Sequence, residues 1–182
     1  TATCLLCLVE PFVAIWLGQD FVLTKAILIL AVAIYYFKGI NSGIDIAKNA
    51  AGLYYPDRFI PMAEAIANMV ISIVLAKRYG IAGVLFGTLV SFLALSFWAK
   101  PYFVCRDVFE VSFARYAVRE GREIVVSVLV AAGTWYAVSL VSLENVLLSF
   151  GVKALLALAL SNGLLLLVYF KTSEFQYLRG LL

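Results

Sequence analysis

Long apolar runs alternate with short polar stretches along the chain, and this alternation predicts a series of helices. Six apolar segments can be placed, over residues 1–15, 21–40, 59–76, 81–99, 124–143 and 146–170. A helix needs about 20 apolar residues to cross a bilayer, and the last five segments approach that length. The first is shorter and contains Glu10 and Pro11, so we expect it to be the end of a truncated helix. The pattern predicts an all-α fold, a polytopic transmembrane helix bundle with about five full spans plus one truncated N-terminal span.

The composition supports a membrane location and argues against several classes of function. Hydrophobic residues make up 64% of the 182 residues and charged residues only 14%. Soluble chains average roughly 45–50% apolar and about 25% charged residues. Histidine is absent, and the sequence contains no phosphate-binding loop, no metal-ligand spacing and no nucleophile beside a base. We therefore expect no enzymatic activity, no cofactor, no bound metal and no nucleic-acid partner.

Basic residues in the loops predict the orientation. If alternate connections face the same side, one side carries ten basic residues: Lys38, Lys48, Arg58, Lys100, Arg106, Arg115, Arg119, Arg122, Lys171 and Arg179. The other side carries three: Lys77, Arg78 and Lys153. Because basic loops tend to remain in the cytoplasm, we expect a multi-pass protein with a cytoplasmic C-terminus.

Two connections on the predicted cytoplasmic side are more than simple loops. Residues 102–123 place Phe109, Phe113 and Tyr116 on one helical face and most charges elsewhere, which is typical of an amphipathic helix in the headgroup plane. In the connection 38–58, residues 39–43 interrupt the preceding apolar run with two glycines, and residues 44–53 could continue as helix past the membrane edge. Four charged residues cluster in this connection: Asp45, Lys48, Asp57 and Arg58. These charges form either a solvated network or a gate that closes against another part of the protein.

The apolar segment 59–76 carries polar side chains that a plain membrane anchor does not need. Glu64 and Asn68 are four residues apart and therefore share one helical face. An uncompensated carboxylate near mid-span costs about 3 kcal/mol on insertion scales. We therefore expect Glu64 to be neutral or paired with a cation. The polar face either packs against neighbouring helices or lines a substrate path.

Small residues in the following segment predict close helix packing. Gly83, Gly87 and Ser91 recur at four-residue spacing after a Lys-Arg-Tyr-Gly turn at residues 77–80. Such a stripe allows two helix backbones to approach closely. In the last segment, Asn162 lies among leucines, and we expect it to join helices through an interhelical hydrogen bond.

Several stretches, taken in order, resemble a known family. They are Ala51-Gly-Leu-Tyr-Tyr-Pro-Asp-Arg-Phe-Ile-Pro61, Glu64-Ala-Ile-Ala-Asn68, Tyr79-Gly-Ile-Ala-Gly83-Val-Leu-Phe-Gly-Thr88 and Trp98-Ala-Lys-Pro-Tyr102, preceded by Glu10-Pro-Phe and Trp16-Leu-Gly18. The chain resembles the C-terminal lobe of bacterial polysaccharide flippases, the lipid-linked oligosaccharide exporters of the multidrug/oligosaccharidyl-lipid/polysaccharide exporter superfamily. The resemblance covers nearly the whole chain and is strongest over residues 52–102. Lys100 departs from it, because an acidic residue is expected there, and this departure weakens a charge-pairing role for the position.

The resemblance implies two pseudo-symmetric lobes that open a central cavity alternately to each side of the bacterial cytoplasmic membrane. Residues 1–143 correspond to most of the second lobe, and residues 144–182 to a terminal transmembrane helix with a cytoplasmic tail. The first lobe is expected in a missing N-terminal part of the same protein. The implied function is export of undecaprenyl-diphosphate-linked oligosaccharide for surface polysaccharide synthesis. Membrane lipid, the lipid-linked oligosaccharide and a polysaccharide polymerase are the implied partners.

A diphosphate headgroup requires fixed positive charge, and the candidate partners in this sequence are Lys25, Lys48 and Arg58. Glu64 and Asn68 complete the candidate substrate-binding set, facing either the cavity or the interior of the lobe. Two other functions remain open. One is a multidrug or metabolite exporter of the same superfamily, and the other is a membrane scaffold subunit of a glycan-assembly complex that performs no transport.

Overall fold

The structure, a computed structural model, describes residues 1–55, 57–141 and 146–170, apart from the side chains of residues 146 and 147. Every regular element in these residues is helical, which confirms the predicted all-α fold. The elements are α1 (Ala2–Trp16), a short 3-10 helix (Gln19–Phe21), α2 (Lys25–Ala50), α3 (Ile60–Ala94), α4 (Ser96–Asp107), α5 (Phe113–Ser139) and α6 (Val146–Tyr169).

Four helical stretches are long and apolar enough to cross a membrane. They are Lys25–Ala50, Ile60–Asp107, Phe113–Ser139 and Leu148–Tyr169, and α1 is a shorter apolar helix. On α3, the large apolar side chains Ile66, Val70, Ile73 and Val74 are more than half exposed, as a lipid-facing surface requires. The length and composition of these helices indicate a multi-pass membrane protein, in agreement with the hydropathy pattern.

The helix α3 reverses direction within its length and forms a helical hairpin. Gly80 has φ 57° and ψ −134°, a backbone conformation outside the helical region that favours glycine. It separates a first arm, residues 60–79, from a second arm, residues 81–94. The reversal falls in the turn that the sequence predicts at residues 77–80.

Contacts divide the chain into two compact units. The first unit comprises Thr1–Val22 with Ile124–Leu182, and the second comprises Leu23–Glu123. In the first unit α1 packs along α6, and Cys7, Val138 and Ala157 form its buried core. The predicted division after residue 143, between a lobe and a terminal transmembrane helix, stays a prediction. Whether the units correspond to part of a transporter lobe stays a prediction.

The second unit is built from α2, α3 and α4, which contact one another pairwise. Its α2 is one continuous helix to Ala50, so the helix passes the end of the predicted apolar span at residue 40 and continues through the glycines, as the sequence allowed. Gly39 and Gly43 each cost about 1 kcal/mol relative to alanine in a helix. The helix nevertheless continues through both glycines, and Asn41 and Ile44 are buried on this stretch. The helix ends at Ala50 with Ala51 as its C-cap, and the next residue, Gly52, has a φ of 67°, the left-handed conformation typical of a glycine after the cap.

The predicted amphipathic helix over residues 102–123 is wrong as a single element. The structure has the end of α4 at Asp107, a break in which Glu110 adopts φ 50°, and the start of α5 at Phe113. The rings of Tyr102 and Phe113 pack together across the break, with centroids 5.7 Å apart. The position of this region relative to the lipid headgroups stays a prediction.

Candidate functional site

One face of α2 carries three polar side chains that contact the rest of the second unit. Asn41, Asp45 and Lys48 follow one another at four- and three-residue spacing and therefore line the same side of the helix. We call them the α2 polar stripe. Each is joined to a residue outside α2, and together these contacts hold α4 and the connection before α3 against the helix.

The Lys48 contact is a buried ion pair. Its Nζ lies 2.6 Å from Oδ2 of Asp57, and the side chains are 15% and 4% exposed, respectively. The pair links the C-terminal end of α2 to the residue just before α3, and the Asp57 carbonyl also accepts a hydrogen bond from the Ile60 amide at 2.9 Å. The charge of Lys48, one of the predicted headgroup partners, is thus already neutralised within the unit.

The Asp45 contact is a second ion pair, formed with Lys100 of α4. The distance from Lys100 Nζ to Asp45 Oδ1 is 2.9 Å, and the pair is more exposed than that of Lys48. The expectation that position 100 has a weakened role in charge pairing is therefore wrong for this chain. The two residues are separated by 55 positions, so only the fold brings their charges together.

The Asn41 contact leads to Glu64. The Asn41 side chain, 1% exposed, donates from Nδ2 to the Ser96 carbonyl at 3.4 Å. The Ser96 hydroxyl in turn donates to a carboxylate oxygen of Glu64. Sequence reasoning missed Asn41 and Ser96 as partners in this network. The spacing of Asn41 from Asp45 and Lys48 is the one signal that could have indicated Asn41.

The second polar residue of the first arm, Asn68, contacts the second arm. Its Oδ1 accepts hydrogen bonds from the Ser72 hydroxyl at 2.9 Å and from the Thr88 hydroxyl at 3.2 Å. Both hydroxyls also lie within hydrogen-bonding distance of the Val84 carbonyl, at 3.3 and 3.1 Å. The polar face of residues 64–72 is therefore occupied by contacts between helices, which favours the packing interpretation over a substrate path.

The small residues of the second arm lie against this polar face. A Cβ added to Gly87 would be 2.6 Å from Ser72 Oγ, and one added to Gly83 would be 2.6 Å from the Leu75 carbonyl carbon. Ser91, fully buried, donates to the Gly87 carbonyl at 2.8 Å. The two arms are thus close enough that their contact surface has no room for larger side chains at these glycines.

The three candidate cations, Lys25, Lys48 and Arg58, do not form one binding site, because Lys25 lies far from Lys48. Lys25 is exposed at the first residue of α2 and lies about 35 Å from Lys48 along the helix axis, at 1.5 Å per residue. One diphosphate cannot contact both. Arg58 is exposed, and its guanidinium carbon lies 4.2 Å from the Tyr55 ring centroid and 4.6 Å from that of Phe59.

Asn162 differs from the expectation. It is exposed on α6, and its Nδ2 donates to the Leu158 carbonyl of the same helix at 2.8 Å. The amide is satisfied locally, because the carbonyl four residues earlier lies directly beside it on a helix. No hydrogen bond joins Asn162 to a second helix within the part of the chain that the structure describes.

The described residues contain no group of three or more histidine, cysteine, aspartate or glutamate side chains that could hold a metal ion. Compared with protein-family models, curated proteins and solved structures, the chain has no match.

Proposed function

We propose that this chain forms part of the second lobe of an exporter that moves undecaprenyl-diphosphate-linked oligosaccharides across the bacterial cytoplasmic membrane by alternating access. In this proposal the C-terminus is cytoplasmic, and a first lobe from the same protein completes the cavity. The ordered sequence motifs that resemble polysaccharide flippases support the choice of cargo. The multi-pass helical fold is compatible with the proposal.

The observation that carries the proposal is the polar network inside a unit made of membrane-spanning helices. Ionisable side chains are expensive in such helices and are characteristic of proteins that move substrates. Here Glu64 and Asp45 both lie in stretches long enough to span, and each has a polar partner on another helical segment. A helix that only anchors a protein in the membrane does not require ionisable side chains within its span.

The network gives the second unit the rigidity that rocking of a lobe requires. The α2 polar stripe joins α2 to α4 and to the residue before α3. The Asn68–Thr88 hydrogen bond and the close approach at Gly83 and Gly87 join the two arms of α3. A unit joined at several separate points moves as one body, and its cavity-facing surface is carried with it.

One observation favours a second function, a membrane scaffold without transport. Glu64 and Asn68, the polar residues that could have lined a cavity, are both engaged in contacts between helical segments of the unit. A scaffold for a glycan-assembly complex would use the same rigid unit to hold partner proteins.

Deletion of the complete gene tests the proposal, with restoration of the wild-type gene as the control. We expect lipid-linked repeat units to accumulate at the cytoplasmic face, measured by their inaccessibility to a glycosidase added to spheroplasts, and surface polysaccharide to fall. If repeat units still reach the outer face in a strain without a second exporter, the exporter proposal is wrong. Normal flipping with loss of the assembly complex would identify the scaffold, and altered drug accumulation alone would identify a multidrug exporter.

A further inference from the structure

The connection between α2 and α3 contains Arg58, a cation whose contacts differ from those of Lys48 and Lys100. Lys48 and Lys100 are each paired with a carboxylate. Arg58 is exposed, and among the described residues no carboxylate forms an ion pair with it. The adjacent carboxylate of Asp57 is directed to Lys48 and is almost fully buried, so it is not available to neutralise the arginine.

Aromatic rings hold the Arg58 guanidinium at the surface. Its central carbon lies over the rings of Tyr55 and Phe59, at 4.2 and 4.6 Å from their centroids, within the range of cation–π attraction. Contact with two rings restricts the side chain, so less conformational freedom is lost when a ligand binds. The five N–H donors lie in the plane of the guanidinium and can still approach an anion from its edge.

The surroundings of Arg58 are apolar and exposed. Tyr54, Tyr55, Phe59 and Met62 are each more than half exposed, and α3, a stretch long enough to span a membrane, begins two residues after Arg58. Aromatic side chains at the end of a span are typical of the membrane–water interface. A fixed positive charge surrounded by exposed rings at this level matches a ligand with a phosphate attached to an apolar chain.

We propose that Arg58, held by Tyr55 and Phe59, binds the phosphate of a lipid headgroup. Guanidinium groups bind phosphate oxygens through two parallel N–H···O bonds, and a low-dielectric interface strengthens such charge-assisted bonds. The phosphate belongs either to a glycerophospholipid of the bilayer or to a polyprenyl diphosphate. The second source rests on the proposed export function, whereas the first is independent of it.

Binding of defined lipids to the purified protein in detergent micelles tests the site. The probes are short-chain phosphatidylglycerol and farnesyl diphosphate, with farnesol as the phosphate-free control, and dissociation constants are measured by microscale thermophoresis. We expect Arg58→Gln to weaken binding of at least one phosphate lipid by about tenfold or more. Arg78→Gln is the matched control, since Arg78 is an exposed arginine at the opposite end of the first arm, and we expect no change.

The pattern of losses identifies the phosphate source. Loss for both lipids supports a general phosphate site, and loss for farnesyl diphosphate alone assigns it to the diphosphate cargo. Unchanged binding of both lipids by Arg58→Gln, or an equal loss in Arg78→Gln, overturns the proposal. Because farnesyl diphosphate is assayed without transport, this result is separate from that of the gene deletion.

Two further variants keep the test decisive if Arg58→Gln does not fold. Arg58→Lys keeps the charge but loses the planar donor edge and the stacking of a planar group on the rings, so we expect weaker binding of the phosphate lipids. Tyr55→Leu with Phe59→Leu keeps the guanidinium but removes the rings, and we again expect weaker binding. Wild-type affinity in both variants, at unchanged helical circular dichroism, contradicts a role for the ring-held arginine.

Discussion

The Lys48–Asp57 ion pair is buried, so the loss in the free energy of unfolding on removing either partner can be estimated. The two losses should differ because the two side chains differ in burial. The N–O distance is 2.6 Å, and Lys48 is 15% exposed whereas Asp57 is 4% exposed. Removing one partner of a buried pair typically costs about 3–5 kcal/mol, since the other charge is left uncompensated. We therefore expect Lys48→Met, which strands the more buried carboxylate, to cost about 4 kcal/mol in the free energy of unfolding.

Replacing the other partner should cost less. Asp57→Asn strands an ammonium that can extend along its flexible stem toward water, so we expect about 3 kcal/mol. In the double variant no unpaired charge remains, so its loss should be no larger than that of Lys48→Met alone and should fall short of the sum of the single losses by about 3 kcal/mol, the upper end of the usual range for residues in contact.

Unfolding of the purified protein in mixed micelles, titrated with sodium dodecyl sulfate and followed by far-ultraviolet circular dichroism, measures these free energies. Lys25→Met is the matched control, because Lys25 is an exposed lysine at the other end of the same helix, and we expect a change within about 0.5 kcal/mol. Single losses below about 1 kcal/mol, as for exposed pairs, or strict additivity in the double variant would refute the reasoning.

Two further predictions concern the hairpin of α3, assayed in the same unfolding titration. Gly83→Ala should destabilise the protein by about 1–3 kcal/mol, since the new methyl group meets the Leu75 carbonyl, whereas Gly163→Ala, where a Cβ meets nothing within 4 Å, should be neutral or stabilising by up to about 1 kcal/mol. Equal effects would contradict the close approach of the arms. Glu64→Gln should be tolerated, because its amide oxygen still accepts from the Ser96 hydroxyl, but Glu64→Leu should cost about 1–3 kcal/mol by leaving that hydroxyl without an acceptor. Equal loss of function in both, at normal protein level, would show that the charge itself is required.

The sequence predicted those features that depend on local pattern. Apolar runs indicated the membrane-spanning helices, and Gly80 in a short polar turn indicated where α3 reverses. The four-residue spacing of Gly83 and Gly87 correctly placed them on one face, because a helix aligns residues separated by four positions whatever its surroundings.

Features that depend on distant partners could not be predicted in this way. The Asp45–Lys100 pair and the Asn41–Ser96 bond each join residues 55 positions apart. A local sequence pattern does not predict contacts at this separation. The single helix predicted over residues 102–123 is wrong for a different reason, because the spacing of aromatic residues does not show where the backbone leaves the helical conformation between Asp107 and Phe113.

The hairpin of α3 also bears on how the chain enters the membrane during synthesis. Asn68 finds its partner Thr88 only 20 positions later, and the Gly80 turn lets the two arms meet as soon as the second has been made. At about 5–20 residues per second, the 45 residues from Ala94 to the end of α5 take roughly 2–9 s to synthesise. The polar side chain of Asn68 can therefore pair with the second arm several seconds before α5 has been synthesised. The two arms are suited to enter the lipid from the translocation channel together, as a pair.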